Sequence, residues 1–286
     1  MGAERPLIGS MKLPGSKAIV TGCSRGLGAV VAEALWREGC DLLLVARSEA
    51  ALREVRDTLA ESATESQQAH AFAADLCDPA SPLAILAEAR RLWPRLDILI
   101  NNAGIGGPIG MLADNDWNAW RDTIQVDLLA PAELCKLAIG WMRQTGGGRI
   151  VNLSGGGATG PRPNFSAYAT AKCALVRFSE TIAAEVADLG IRVNCVAPGV
   201  LNTDMLREVL RSGLERVGAT SDPRLAAELI VYLASEESAG ITGKLISAVW
   251  DPWRNLHLHV EDLKNTDVYT LRRILPEERG KAWGGE

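Results

Sequence analysis

The stretch Lys17-Ala18-Ile19-Val20-Thr21-Gly22-Cys23-Ser24-Arg25-Gly26-Leu27-Gly28 opens as a short apolar β-branched run and passes through three glycines into an amphipathic helical pattern. A strand, a tight turn and a helix in that order aim free backbone N–H groups at whatever sits before the helix, and those groups attract an anion. The glycines let the chain turn, let its backbone approach a pyrophosphate and let the helix pack closely on the strand. Gly22, Ser24, Arg25, Gly26, Leu27 and Gly28 are therefore candidate contacts to a dinucleotide. Glycines alone are a weak signal, because any turn uses them; the strand–turn–helix setting gives them weight.

Outward from this turn, short apolar runs alternate with longer helical patterns as far as Val249. Strands are expected at Lys17–Thr21, Asp41–Ala46, Ala69–Ala74, Asp97–Ile100, Arg149–Leu153, Ile191–Val196 and Lys244–Ala248. Helices are expected at Leu27–Glu38, Glu49–Glu61, Ser81–Trp93, Trp117–Gln144, Ser166–Leu189 and Asp222–Ser235, where apolar residues recur with the 3.6-residue period. Strand followed by helix throughout predicts an α/β protein: a three-layer Rossmann fold, with a parallel sheet of about seven strands and helices on both faces. The 286 residues divide into a leader (1–16), one Rossmann body (17–249) and an extension (250–286) expected to pack on the body or on a neighbouring subunit.

Composition narrows the function classes. With 35 acids, 30 bases and no basic tract, the chain is not built for nucleic acid. No run approaches the roughly 18 apolar residues of a membrane span and there is no secretory h-region, so no membrane partner is expected. Six scattered cysteines without a C-x-x-C pair suit a reducing, cytoplasmic compartment. His257 and His259 lack further ligands nearby, so no metal site is expected. The second strand ends in Val45-Ala46-Arg47-Ser48, where an NAD-binding unit usually carries a carboxylate for the ribose diol. Arg47 and Arg25 converging on a 2′-phosphate instead predict NADP(H) in preference to NAD(H).

At this point the chain resembles the short-chain dehydrogenase/reductase family, from about Lys17 to Val249, through five motifs in order. The glycine turn is similar to T-G-x-x-x-G-x-G; Asp75-Leu76 matches the aspartate pair at adenine; Asn102-Ala103-Gly104 ends an N-N-A-G. Tyr168 and Lys172 match Y-x-x-x-K, and Pro198-Gly199 with Thr203 match the segment bordering nicotinamide. The resemblance implies an NAD(P)-dependent oxidoreductase moving a hydride between the nicotinamide and a carbonyl or alcohol of a small molecule. It also implies a homodimer or homotetramer built on the helices near Trp117–Gln144 and Ser166–Leu189. The chemistry stands independently: Tyr168 and Lys172, four apart on a helix, share one face, and a nearby ammonium favours the phenolate of a tyrosine serving as general acid/base.

Two positions depart from the family pattern. Thirteen residues before Tyr168, where the family carries a serine that donates to the reacting oxygen, stands Gly155. Ser154 is the expected substitute, with Thr159 and Ser166 as further candidates. Asp127 stands where the family has an asparagine that helps hold a proton-relaying water, and two readings stay open: its charge pairs with Lys172 and weakens the lysine's effect on Tyr168, or it keeps the helix-interior hydrogen bond with little effect on rate. An intact Tyr–Lys pair between two altered positions leaves two alternatives to a dehydrogenase: a cofactor-retaining dehydratase or epimerase, and a catalytically weakened nucleotide-binding scaffold. Arg162, in the stiff Pro161-Arg162-Pro163 loop, suggests a polar or anionic substrate.

Overall fold

The computed structural model describes residues 11–64, 66–215 and 218–281. Seven apolar runs become strands: β1 (Lys17–Thr21), β2 (Asp41–Ala46), β3 (Ala69–Ala73), β4 (Ile98–Asn101), β5 (Gly148–Leu153), β6 (Ile191–Ala197) and β7 (Leu245–Ser247). All are parallel and lie in the order β3-β2-β1-β4-β5-β6-β7. Parallel neighbours need long crossovers. These are supplied by α1 (Gly26–Arg37), α2 (Glu49–Ala60), α3 (Ser81–Leu92), α4 (Trp117–Ile124), α5 (Ala130–Met142), α6 (Ser166–Glu185), α7 (Asp204–Ser212) and α8 (Pro223–Ala234). The two faces of the sheet carry separate cores, one including Val20, Leu44 and Ile100 with α1 and α8, the other Ile19, Leu43 and Leu99 with α3, α5 and α6. The architecture is the expected seven-stranded Rossmann-type sheet. Because the order reverses between β1 and β4, crossovers leave in opposite directions there and a crevice opens at the carboxyl ends of the strands.

Two differences from expectation bear on the site. The segment Trp117–Gln144 is not one helix; a π-helical turn, Gln125–Leu129, separates α4 from α5. Pro131, in the first turn of α5, has no N–H to give to the carbonyl four residues earlier, so the regular ladder breaks there. The wide turn carries Asp127 inward to complete burial. The second difference is α7, a nine-residue helix between Thr203 and Gly213. Thr203 caps it by accepting from Leu206 N (3.3 Å), and Gly213 ends it at φ +66°.

Beyond β7 the chain folds back on the body. Trp253, Leu256 and Leu263 are buried in the α1/α8 core, and Trp253 Nε1 donates to Ala248 O (3.2 Å). A short helix, α9 (Val260–Asn265), leads to Tyr269, whose carbonyl accepts from Leu245 N (2.8 Å) and so covers part of the outer edge of β7. At the other terminus, residues 1–10 of the leader lie outside the described residues. Leu13 is buried, and Leu13 N and Gly15 N donate to the carbonyls of Glu38 and Gly39 (3.0 and 2.9 Å).

Candidate active site

A cleft of about 1450 Å³ follows the carboxyl ends of the strands from Arg47 to Glu215. Its floor is the glycine turn. Gly22 adopts φ +67°, and a side chain there would meet Ala103 Cα at 2.7 Å; at Gly28 it would meet Gly22 O at 2.2 Å and Asn102 Nδ2 at 2.5 Å. Both positions require glycine because β1, α1 and the end of β4 close on one another here. Thr21 and Asn102 fasten the closure. Thr21 Oγ1 accepts from Asn102 N and Ala103 N, both at 3.1 Å, and Asn102 Nδ2 donates to Thr21 O (2.9 Å) and Gly22 O (3.1 Å). Arg25, the N-cap of α1, makes no side-chain cap, and the first turn of α1 holds no acid, so its N–H groups are left to an anion in the cleft. Gly22, Ser24, Arg25, Gly26, Leu27 and Gly28 all line this end, and the arrangement fits a dinucleotide pyrophosphate.

At the other sequence-predicted cofactor positions the structure is more selective. Arg47, Asp75, Leu76, Ala103, Gly104, Pro198, Gly199 and Thr203 line the same cleft as the glycine turn. Asp75 Oδ1 accepts from Cys77 N (3.0 Å), while Leu76 is buried beneath. Arg25 pairs with Asp204 at the first residue of α7 (2.6 Å). Arg25, exposed at the surface, thus ties the glycine turn to α7, and Arg47, also exposed, follows the end of β2; both line the cleft.

The catalytic candidates lie on α6 over the end of β5. A buried chain of hydrogen bonds sets their register: Asn101 Nδ2 to Asn152 Oδ1 (2.8 Å), Asn152 Nδ2 to Ser179 Oγ (2.8 Å), and Ser179 Oγ to Leu175 O (2.7 Å). A buried polar network of this kind constrains how α6 docks on the sheet, although Asn101 Oδ1 is left without a partner. Tyr168 and Lys172 then face the cleft, 8% and 4% exposed. Lys172 Nζ donates to Leu153 O (3.1 Å) and stands 3.3 Å from Asp127 Oδ2; Asp127 Oδ1 accepts from Ile105 N (2.8 Å). Burial alone would pull the Lys172 ammonium down, but Asp127 and Tyr168 outweigh it and hold it above its ordinary range. Burial pushes the Asp127 carboxyl up, with Lys172 and the Ile105 N–H pulling against it. The Tyr168 phenol is also raised, by burial first, with Lys172 and Arg162 lowering it and Asp127 raising it. The expected net bias toward phenolate is therefore reversed. A fully buried carboxylate beside the lysine offsets part of the ammonium's pull on the phenol.

Gly155 has a concrete role: a Cβ built there would lie 2.1 Å from Tyr168 Oη, so the tyrosine hydroxyl already occupies the space a side chain would take. Ser154 lines the cleft beside Gly155; it is 4% exposed, and its Oγ is shielded from solvent and has no hydrogen-bond partner. Ser166 Oγ accepts from Trp120 Nε1 (3.2 Å), which ties α4 to the start of α6, and Thr159 is exposed on the rim. Arg162 is neither free nor fully solvated. Its Nε and Nη2 grip both oxygens of Glu215 at 2.5–3.2 Å, and its guanidinium carbon lies 4.1 Å from the Phe165 ring centroid. Glu215 already balances the arginine's charge and leaves only Nη1 without a carboxylate partner, so Arg162 is not the free cation that the sequence suggested. Sequence reasoning missed Glu215 and Asp204. The capping Thr203 and Gly213 marked the helix that carries them into place.

Comparison with known proteins agrees with this geometry. The family described as short chain dehydrogenase matches residues 16–212. The chain is 33% identical over 244 residues to the 3-oxoacyl-(acyl-carrier-protein) reductase FabG of Escherichia coli K12, covering 82% of this chain and 96% of that protein. It is 34% identical over 245 residues to the short-chain reductase protein NovJ of Streptomyces niveus, covering 81% and 91%. Among solved structures, one described as an NAD(P)-dependent gluconate 5-dehydrogenase from Beutenbergia cavernae with bound NADP superimposes with a TM-score of 0.75 at 30% identity, covering 84% of this chain and 97% of that one.

Proposed function

Because the chain belongs to the short-chain dehydrogenase/reductase family and is an NAD(P)-dependent oxidoreductase acting on a CH–OH or C=O group, we propose that it is an NADPH-linked carbonyl reductase with Tyr168 as its acid. The observation that carries this reading is that Tyr168 and Lys172, backed by the buried Asp127, share one cleft with the glycine turn. When bound, the nicotinamide supplies or accepts the hydride. Residues 22–28 hold the pyrophosphate, Asp75 and Leu76 border the adenine, and Asn102–Gly104 with Pro198, Gly199 and Thr203 border the nicotinamide end. Tyr168 Oη gives its proton to the carbonyl oxygen, and Lys172, held charged by Asp127 and Leu153 O, stabilises the phenolate left behind. The same groups run the oxidation of an alcohol in reverse.

Ile105, Ile109, Phe165, Met205 and Leu206 give the substrate end of the cleft an apolar wall. A small carbonyl compound with an apolar body suits it. FabG by its name acts on a 3-oxoacyl group, and that chemistry is compatible with such a wall. The test is to follow NADPH absorbance across a panel of aldehydes and ketones while measuring NADPH binding in parallel. Binding without turnover over the whole panel would defeat the proposal, and product formed at constant NADPH would point to elimination or epimerisation.

The NADP(H) preference rests on Arg47. A charge-assisted hydrogen bond to a 2′-phosphate contributes about 1.5–3 kcal/mol. Arg47→Asp is therefore expected to raise the Kd for NADPH by about tenfold or more and to leave NADH binding unchanged or tighter, as read by cofactor fluorescence titration. Equal losses for both cofactors would remove Arg47 from the phosphate site. The reading keeps the expectations of a cytoplasmic compartment and a homodimer or homotetramer, the latter checked by sedimentation of the purified chain.

A further inference from the structure

Among the described residues, the position beside Tyr168 where the family carries its hydroxyl donor to the substrate oxygen is the bare Gly155. Gly155 has no side chain, Ser154 lines the cleft but its Oγ is shielded from solvent, Ser166 is not among the lining residues, and Thr159 lies on the exposed rim. The two glycines at the end of β5 show what replaces it. A Cβ on Gly155 would point into Tyr168 Oη at 2.1 Å, and a Cβ on the next residue, Gly156, would lie 3.4 Å from Arg162 Nη1. The bare backbone of Gly155–Gly156 is thus a floor over which the tyrosine hydroxyl and one arginine nitrogen both sit. The guanidinium carbon is 5.6 Å from the Tyr168 ring centroid.

Resting on the reductase reading above, we propose that Arg162 Nη1 is the second hydrogen-bond donor to the substrate oxygen, in place of the family's serine, and that Glu215 is its positioning residue. A guanidinium carries five N–H donors in a rigid fork. Glu215 engages Nε and Nη2, which leaves the N–H groups of Nη1 for another acceptor. Stacking on Phe165 at 4.1 Å fixes the plane of the fork, and the arginine side chain is only 19% exposed. Pro161 and Pro163 stiffen the loop on either side, and Asn164 is held in the left-handed region at φ +70°, with its carbonyl accepting from Gly110 N (2.9 Å). A donor held this rigidly is already oriented before charge develops. As the carbonyl carbon gains a hydride from NADPH, the π pair moves to oxygen and that oxygen takes the Tyr168 proton. Arg162 keeps all its protons and stabilises the charge in between.

The test uses the enzyme with NADPH and a neutral carbonyl substrate found by the panel, beside a carboxylate-bearing analogue. Arg162→Ala should lower kcat by about a hundredfold for both substrates, with little change in KM. Low concentrations of added guanidinium should restore part of that loss. Arg162→Lys, which keeps the charge and supports the fold, should also lose activity, because one ammonium cannot grip Glu215 and donate with the same geometry. Glu215→Gln should lose about tenfold and gain nothing from guanidinium. Independently of turnover, ultraviolet titration of the Tyr168 phenol, taken as the difference from Tyr168→Phe, should move to higher pH in Arg162→Ala. A kcat within twofold of wild type for Arg162→Ala, or a loss confined to KM for the anionic analogue, would overturn the proposal. An active Tyr168→Phe would instead overturn the reductase reading on which it rests.

Discussion

Tyr168→Phe is expected to lower kcat by about a thousandfold while NADPH affinity stays within about twofold of wild type. General acid catalysis by a positioned side chain contributes roughly 10²–10⁴ in rate, and Lys172, the other protonated group lining the cleft in this cluster, is committed to Leu153 O and Asp127. The phenylalanine ring keeps the packing of a residue that is 8% exposed, so the fold and the nucleotide end of the cleft should be untouched. The pH dependence gives the result its specificity. Burial raises the Tyr168 phenol and Asp127 adds to the rise, so the acid stays protonated through neutrality. Carbonyl reduction should therefore be flat across the neutral range and fall only as the phenol ionises in alkali. Alcohol oxidation, which needs the phenolate, should climb toward alkaline pH. Stopped-flow single-turnover measurements separate this step from binding and product release.

The glycine turn, the sheet and the Tyr168–Lys172 pair were legible in the sequence because each rests on a local pattern. Periodicity reports strands and helices, and residues four apart on a helix share a face wherever that helix docks. The latch between Arg25 and Asp204 was not legible, because an ion pair between residues far apart depends on where α7 settles, and α7 is too short for its period to stand out from loop. The same limit hid Glu215 and made Arg162 read as a free cation. The orientation of the Ser154 hydroxyl was hard to read for a subtler reason. One residue's displacement along a strand end reverses the face a side chain takes, and the neighbouring Gly155 makes room for Tyr168 Oη. Asp127 lay between these cases. Its pairing with Lys172 was anticipated from chemistry, but its complete burial comes from the π-helical turn ahead of Pro131, which no periodic pattern announces.

That burial makes Lys172→Met the variant with the largest expected effect on stability. The ammonium and the carboxylate are 4% and 0% exposed and 3.3 Å apart, so solvent does little to screen either partner. Removing one partner of a buried pair costs about 3–5 kcal/mol, because the other charge is left without compensation. Asp127 would keep only the Ile105 N–H, and its carboxyl would be driven further up by a burial that Lys172 no longer opposes. The sign of the pH effect follows. A carboxyl whose folded pKa lies above its unfolded value contributes fully below the unfolded value, and its contribution is lost as pH rises to the folded one. Lys172→Met should therefore lie closest to wild type in mild acid and fall away toward neutrality, which denaturant unfolding at several pH values reads directly. Asp127→Asn in the same background should recover about 2 kcal/mol or more at neutral pH, since a neutral amide can sit in that pocket without an ammonium. If the two substitutions simply add, the ion pair is not what holds the π-helical turn against α6. Activity should follow a different rule from stability: the double variant regains its fold but not its rate, because no ammonium remains beside Tyr168 to stabilise the phenolate formed when the proton leaves.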